Sequence, residues 1–98
     1  MNVVRITPLA ERDMDEILDY ISLDNPESAL RVIRRIRKKC ESLGDHPYLG
    51  QRRPEYADGQ YRSTTVGSYV IYYSVEEDEE VVKVVRVLHG ARDHSRLL

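Results

Sequence analysis

The sequence predicts an α+β fold: one short strand, an antiparallel helical hairpin, then a three-stranded antiparallel meander, with both helices on one face of a small sheet. Three observations carry this. Two stripes of apolar residues recur at helical spacing in the first half, each behind a proline-led start. Three β-branched and tyrosine-rich runs fill the second half, separated by turn-forming residues. A loop without periodicity lies between the halves.

Val3-Val4-Arg5-Ile6 is short and β-branched and reads as the first strand. Thr7 followed by Pro8 supplies a helix N-cap and a pre-organised first helical position, with Glu11 in the first turn. Ala10, Met14, Ile17, Leu18 and Ile21 then mark one face of an amphipathic, acidic first helix. Asp24-Asn25-Pro26-Glu27 breaks it, because Asn25 before proline avoids helical geometry while Pro26 suits a new first turn. Ala29, Val32, Ile33, Ile36, Cys40 and Leu43 form the second stripe, and Gly44 is expected to end it in a left-handed conformation. Asp45 to Gln60, punctuated by Pro47, Gly50, Pro54 and Gly59, is expected to be a loop, with His46 at its start. Tyr61–Val66, Tyr69–Val75 and Val81–Leu88 are the expected strands, the first two joined at Gly67-Ser68 and the last two across the acidic Glu76–Glu80 turn. Gly90 is expected to turn the chain off the sheet, carrying Arg92 and Asp93 with it.

A length of 98 residues without a linker-like tract fits one domain over residues 1–98. A single Cys40 cannot make an internal disulfide, and neither a signal segment nor a membrane-spanning run is evident, so a soluble, cytoplasmic protein is expected. The net charge of −2 argues against a surface uniformly built for nucleic acid. Its distribution is uneven: residues 1–30 hold two basic and seven acidic side chains, residues 31–64 nine and four, and residues 65–98 four and six.

The basic run Arg31, Arg34, Arg35, Arg37, Lys38 and Lys39, with Arg52 and Arg53 beyond it, is read either as a solvated helix face or as a contact for phosphates or an acidic partner. Seven tyrosines with neither Phe nor Trp place rings on both faces of the strand holding Tyr69, Tyr72 and Tyr73. Either their hydroxyls reach water at the sheet rim or the surplus marks an interface. His46, His89 and His94 have no metal-ligand spacing, so no metal or cofactor is expected. His89 at a strand end reads as structural, whereas His94 between Arg92 and Arg96 has the surroundings of a general acid or base at a phosphate.

Pro47-Tyr48-Leu49-Gly50, Gly67-Ser68-Tyr69-Val70-Ile71-Tyr72-Tyr73 and Arg86-Val87-Leu88-His89-Gly90-Ala91-Arg92-Asp93, in this element order, resemble the RelE/ParE toxins of type II toxin-antitoxin systems, and the ending resembles the ParE branch. The resemblance implies a small antiparallel sheet with both helices on one face. It also implies a plasmid-stabilisation toxin held in a hetero-oligomer by a cognate antitoxin and acting by inhibition of DNA gyrase, without catalytic residues of its own. The alternatives are a RelE-like endoribonuclease acting on messenger RNA at the ribosome, and a non-toxic antitoxin-binding module.

RelE-like cleavage calls for an Arg in the middle strand, an Arg after the last strand and a terminal Tyr. The resemblance aligns Val70, Arg92 and Leu98 with these, so two of the three are absent. An alternative catalytic set is Arg62, Arg92 and His94. The expected partner contacts are Arg31, Arg34, Arg35, Lys38, Arg62, Arg86, His89 and Arg92, with an acidic antitoxin segment along the cationic middle of the chain.

Overall fold

In the computed structural model, which describes residues 2–98, the chain runs β1 (Val3–Ile6), α1 (Pro8–Ser22), α2 (Pro26–Ser42), β2 (Gln51–Arg52), β3 (Tyr61–Val66), β4 (Tyr69–Glu76) and β5 (Val81–His89). The helix starts follow the expected chemistry: Thr7 Oγ1 accepts from Ala10 N–H and Asn25 Oδ1 from Ser28 N–H, each at 3.1 Å, ahead of Pro8 and Pro26. Each cap satisfies an amide that the helix itself leaves without an acceptor.

The sheet has five strands in the order β1-β5-β4-β3-β2 and is mixed rather than purely antiparallel. The β3-β4-β5 meander is as expected, but β1 lies parallel to β5, Val3 opposite Val81 and Ile6 opposite Val84. The helical hairpin between them serves as the crossover that a parallel pair requires. Part of the expected loop is β2, which pairs Gln51 with Ser63 and Arg52 with Arg62.

Both helices cover one face. Ala10 and Met14 of α1, Ile36 and Cys40 of α2 and the following Leu43 enclose Ile71, Tyr73, Val82, Val84 and Val87 in a continuous core. Val4, Ile6, Ile17, Val32 and Ile33 pack around it. Cys40 is fully buried, and desolvation pushes its thiol up to about 11.

Gly44 acts differently from expectation, whereas Gly90 lies in the expected turn after β5. Gly44 and Gly90 are not among the residues with positive φ; Gly59 and Gly67 are. Gly44 is needed because a Cβ there would stand 2.7 Å from the Asn2 carbonyl oxygen, where the end of α2 meets the start of β1. Gly90 is similarly close-packed: its N–H donates to Ser68 O at 2.8 Å, and a Cβ would lie 3.3 Å from that oxygen.

Candidate functional site

The end of β5 departs most from a regular sheet. β1 covers only Val81 to Val84, leaving the rest of that β5 edge without a strand neighbour among the described residues. Side chains take over part of that edge: Thr7 Oγ1 donates to Val85 O at 3.2 Å, and Asp13 Oδ2 accepts from Val87 N–H at 3.0 Å. A bulge shifts the β4–β5 register between Tyr72 and Tyr73, which face Arg86 and Val84 respectively. Beside this extra residue, Arg86 reaches helix α1.

Arg86 Nε and Nη2 each donate to the Asp13 carboxylate at 2.8 Å, and Nη1 donates to Leu97 O at 2.7 Å. The two side chains are 12% and 3% exposed. The hydrogen bonds it donates to Asp13 raise Arg86 above its ordinary value. Arg86, expected to face a partner, is instead committed inside the molecule, where it ties α1, β5 and the tail together.

On the face away from the helices, Tyr72 is fully buried. The rings of Tyr56 and His94 meet it edge-on at 5.7 and 5.4 Å. The Tyr72 hydroxyl lies 2.5 Å from His94 Nδ1, and His94 Nε2 lies 2.8 Å from His89 O. A carbonyl only accepts, so Nε2 carries the proton; in the neutral ring, Nδ1 is then the acceptor for the Tyr72 hydroxyl. Burial raises the phenol above its usual range, which keeps it a donor. Both nitrogens of His94 are engaged. Tyr73 is equally buried on the core side and accepts from Gly50 N–H at 2.8 Å, so neither hydroxyl reaches the sheet rim as expected.

Arg53, half-buried, stands 5.9 Å from the Tyr56 ring centroid and borders a polar groove of about 420 Å³ with Ser63, Thr65, Tyr72, Gly90 and His94. Its Nε lies 3.2 Å from Glu55 Oε2 but outside hydrogen-bond alignment, so this buried donor has no acceptor among the described residues.

Arg62 lies elsewhere. It is opposite Tyr73 in the β3–β4 register, so it leaves the sheet on the helix-covered face, whereas Ser63 and Tyr72 share the His94 face. Arg62 Nη1 donates to Gly50 O at 2.8 Å, and its guanidinium stacks 5.0 Å from the Tyr48 ring centroid. Tyr48 in turn hydrogen-bonds the Glu77 carboxylate. Arg62 thus pins the loop. The alternative catalytic set Arg62, Arg92 and His94 is not assembled: Arg62 and His94 occupy opposite faces, and exposed Arg92 borders a separate cleft.

That cleft, of about 430 Å³, opens between α1 and the uncovered end of β5. Ile17, Tyr20, Tyr69 and Val87 form its apolar lining, with Glu16, His89 and Arg92 at its polar margin. The Tyr69 and His89 rings meet edge-on at 5.3 Å, and His89 Nδ1 accepts from Ala91 N–H at 3.0 Å, fixing the proton of the neutral ring on Nε2.

Arg31, Arg34, Arg35 and Lys38 are exposed on α2. Arg31 donates to Ser28 Oγ at 3.0 Å. Arg35, Lys38 and Lys39 border a shallow groove facing Thr65 and Gly67. Arg37 leaves this group for a forked contact with Glu11 on α1, at 3.1 and 2.8 Å.

The signal for Asp13 was in the sequence: it falls three residues after Ala10 and four before Ile17, inside an otherwise apolar stripe. The Arg53–Tyr56 arrangement had no such signal, since it lies in the aperiodic loop. Among the described residues, no three His, Cys, Asp or Glu side chains gather as metal ligands, and no helix is long and apolar enough to cross a membrane.

A family model described as the ParE toxin of the type II toxin-antitoxin system parDE matches residues 4–94. Toxin ParE1 of Caulobacter vibrioides is 30% identical over 95 residues, covering 96% of this chain and 98% of that protein. Toxin RelE3 of the same organism is also 30% identical, over 86 residues, covering 88% and 94%. Among solved structures, the chromosomal ParDE system from P. aeruginosa contains a chain that superposes with a TM-score of 0.75 at 24% identity, covering 91% of this chain and 96% of that one.

Proposed function

The chain belongs to the ParE toxin family of type II toxin-antitoxin systems, and from that premise we propose that it acts by binding DNA gyrase in the cytoplasm rather than by cutting RNA. The observation that supports this reading is the separation of Arg62, Arg92 and His94. Cleavage through a 2′-hydroxyl needs a base, an acid and phosphate-binding cations around one phosphorus atom. Here one arginine is spent on loop Gly50, another borders a cleft beside α1, and both nitrogens of the histidine are already hydrogen-bonded.

The cognate antitoxin is the second partner, and the exposed cations Arg31, Arg34, Arg35 and Lys38 are the proposed contact for an acidic segment of it. Opposite charge accelerates encounter and fixes register, so reversal of Arg34 and Lys38 to Glu is expected to weaken binding and flatten its salt dependence. Equal affinity in that variant removes the assignment.

The test of the target is incubation of the antitoxin-free chain with gyrase, ATP and plasmid. Loss of supercoiling with accumulation of cleaved DNA is expected; unimpaired gyrase, with a folded sample that arrests growth, overturns the proposal. One feature favours the endoribonuclease reading, namely the His94–Tyr72 pair beside Arg53 in the open-face groove. RNA cleavage abolished by His94→Ala would establish that reading. Absence of growth arrest on expression without antitoxin would leave the non-toxic binding module.

A further inference from the structure

Resting on the gyrase reading above, we propose that α2 and the β3–β4 turn form a docking surface for the phosphate backbone of the duplex DNA that gyrase holds. Charge is the first argument. Among the described residues, Arg37 is the only one of the six cations on α2 that forms an ion pair. Arg31, Arg35, Lys38 and Ser42 follow one another at spacings of four, three and four residues, so they line one side of the helix. At a rise of about 1.5 Å per residue this row runs about 16 Å. A straight row of cations matches a rigid, evenly charged rod such as duplex DNA.

The donors beside the row are the second argument. Arg35, Lys38 and Lys39 border a groove of about 430 Å³ whose other wall is the Thr65–Gly67 end of the hairpin, and no carboxylate lines it. A Cβ at Gly67 would meet nothing closer than the Arg35 guanidinium, at 4.0 Å, so glycine keeps the turn open beneath that cation. Strand β3 adds a main-chain donor. Arg53 N–H donates to Tyr61 O at 2.9 Å on the β2 side, so the odd-numbered residues of β3 turn their backbone to that edge. β2 reaches only to Ser63, and Thr65 N–H points past it without a backbone acceptor among the described residues. Phosphate oxygens accept from guanidinium, ammonium and main-chain donors alike, and this groove combines the three. No aromatic side chain borders it, whereas protein interfaces are commonly anchored by one. The acidic antitoxin segment proposed for Arg35 and Lys38 takes the same cations, so antitoxin and DNA exclude one another.

The experiment titrates the full chain onto gyrase alone and onto gyrase holding a linear DNA duplex, and reads the ratio of the two affinities as salt is raised. The variant is Arg35→Glu/Lys39→Glu, with circular dichroism confirming the fold and Arg35→Gln/Lys39→Gln as the neutral counterpart. DNA is expected to tighten the wild-type chain on gyrase. With three phosphate contacts, that gain is expected to shrink about fortyfold between about 50 and 200 mM salt, and with one contact left about fourfold or less. Both variants are expected to lose most of the gain while binding DNA-free gyrase as the wild type does. A gain that persists in both variants with the wild-type salt dependence, or no gain in the wild type, overturns the docking surface and leaves the gyrase reading standing. Equal weakening on gyrase with and without DNA assigns the cations to an acidic face of gyrase itself and also overturns the proposal. A wild-type chain that binds gyrase in neither form overturns the gyrase reading and the docking surface with it.

Discussion

Truncating Asp13 removes three hydrogen bonds at once, two from the Arg86 guanidinium at 2.8 Å and one from Val87 N–H at 3.0 Å. The arginine left behind has a side chain only 12% exposed, so water cannot replace the carboxylate without displacing packed neighbours. Breaking a buried pair from one side costs about 3–5 kcal/mol. Because Nη1 still has Leu97 O, we expect Asp13→Ala at the lower end, about 3 kcal/mol. Against the roughly 5–15 kcal/mol that holds a domain together, this is a large fraction. At ~4–8 °C per kcal/mol for a domain of this size, the midpoint falls by about 12–24 °C.

Asp13→Asn retains an oxygen for Val87 N–H but loses the charge and one acceptor, giving about 2 kcal/mol. The double variant Asp13→Ala/Arg86→Met removes both charges, leaving mainly an unsatisfied edge amide, and is expected to cost no more than Asp13→Ala alone. Urea denaturation of the wild type, Asp13→Ala, Arg86→Met and the double variant measures this as a cycle, with an expected coupling of about 2 kcal/mol. Costs below about 1 kcal/mol for Asp13→Ala, or single-variant costs that add within about 0.5 kcal/mol, would refute the reasoning.

The Glu11–Arg37 pair is a weaker counterpart, with side chains 42% and 41% exposed. After discounting for solvent screening, Glu11→Gln is expected to cost about 0.5 kcal/mol or less at neutral pH. The hydrogen bond from Arg37 lowers the Glu11 pKa, so its stabilisation is complete above the ordinary glutamate value and fades as pH falls through the lowered one; a constant difference between wild type and variant across acid pH would contradict this. Gly50→Ala is expected to destabilise by about 1–3 kcal/mol through overpacking, because its Cβ would lie 2.6 Å from the Tyr73 hydroxyl and 2.7 Å from Ser63 O; an unchanged melting temperature would show that the loop yields freely. With its thiol fully buried and raised to about 11, Cys40 is expected to react with iodoacetamide at pH 8 only as fast as the chain opens. Alkylation at the rate of the unfolded chain would contradict that burial.

The sequence by itself determined both helices and the strands β1, β3, β4 and β5, because local chemistry dictates them, whereas the short β2 exists only through its pairing with β3. Thr7-Pro8 and Asn25-Pro26 supply oxygen acceptors and fixed φ where each helix begins, and the spacing of Ala10, Met14 and Ile17, or of Ile36, Cys40 and Leu43, places one apolar face on each helix. The meander was equally legible from its β-branched runs and the Gly67-Ser68 turn. The family resemblance, carried by the loop and tail motifs, agrees with the ParE family match over residues 4–94.

Tertiary structure alone decided which residues face one another. The parallel joining of β1 to β5 brings together residues 78 positions apart, Val3 and Val81, and nothing local specifies that contact. Its early end exposes the cleft. The single-residue alternation of a strand separates Arg62 from His94 across the sheet although the sequence supplies both, and the β4–β5 bulge beside Arg86 commits an apparently available cation to Asp13. Local sequence reports what a residue can do; long-range register sets the face, the neighbour and the exposure that decide whether it does it.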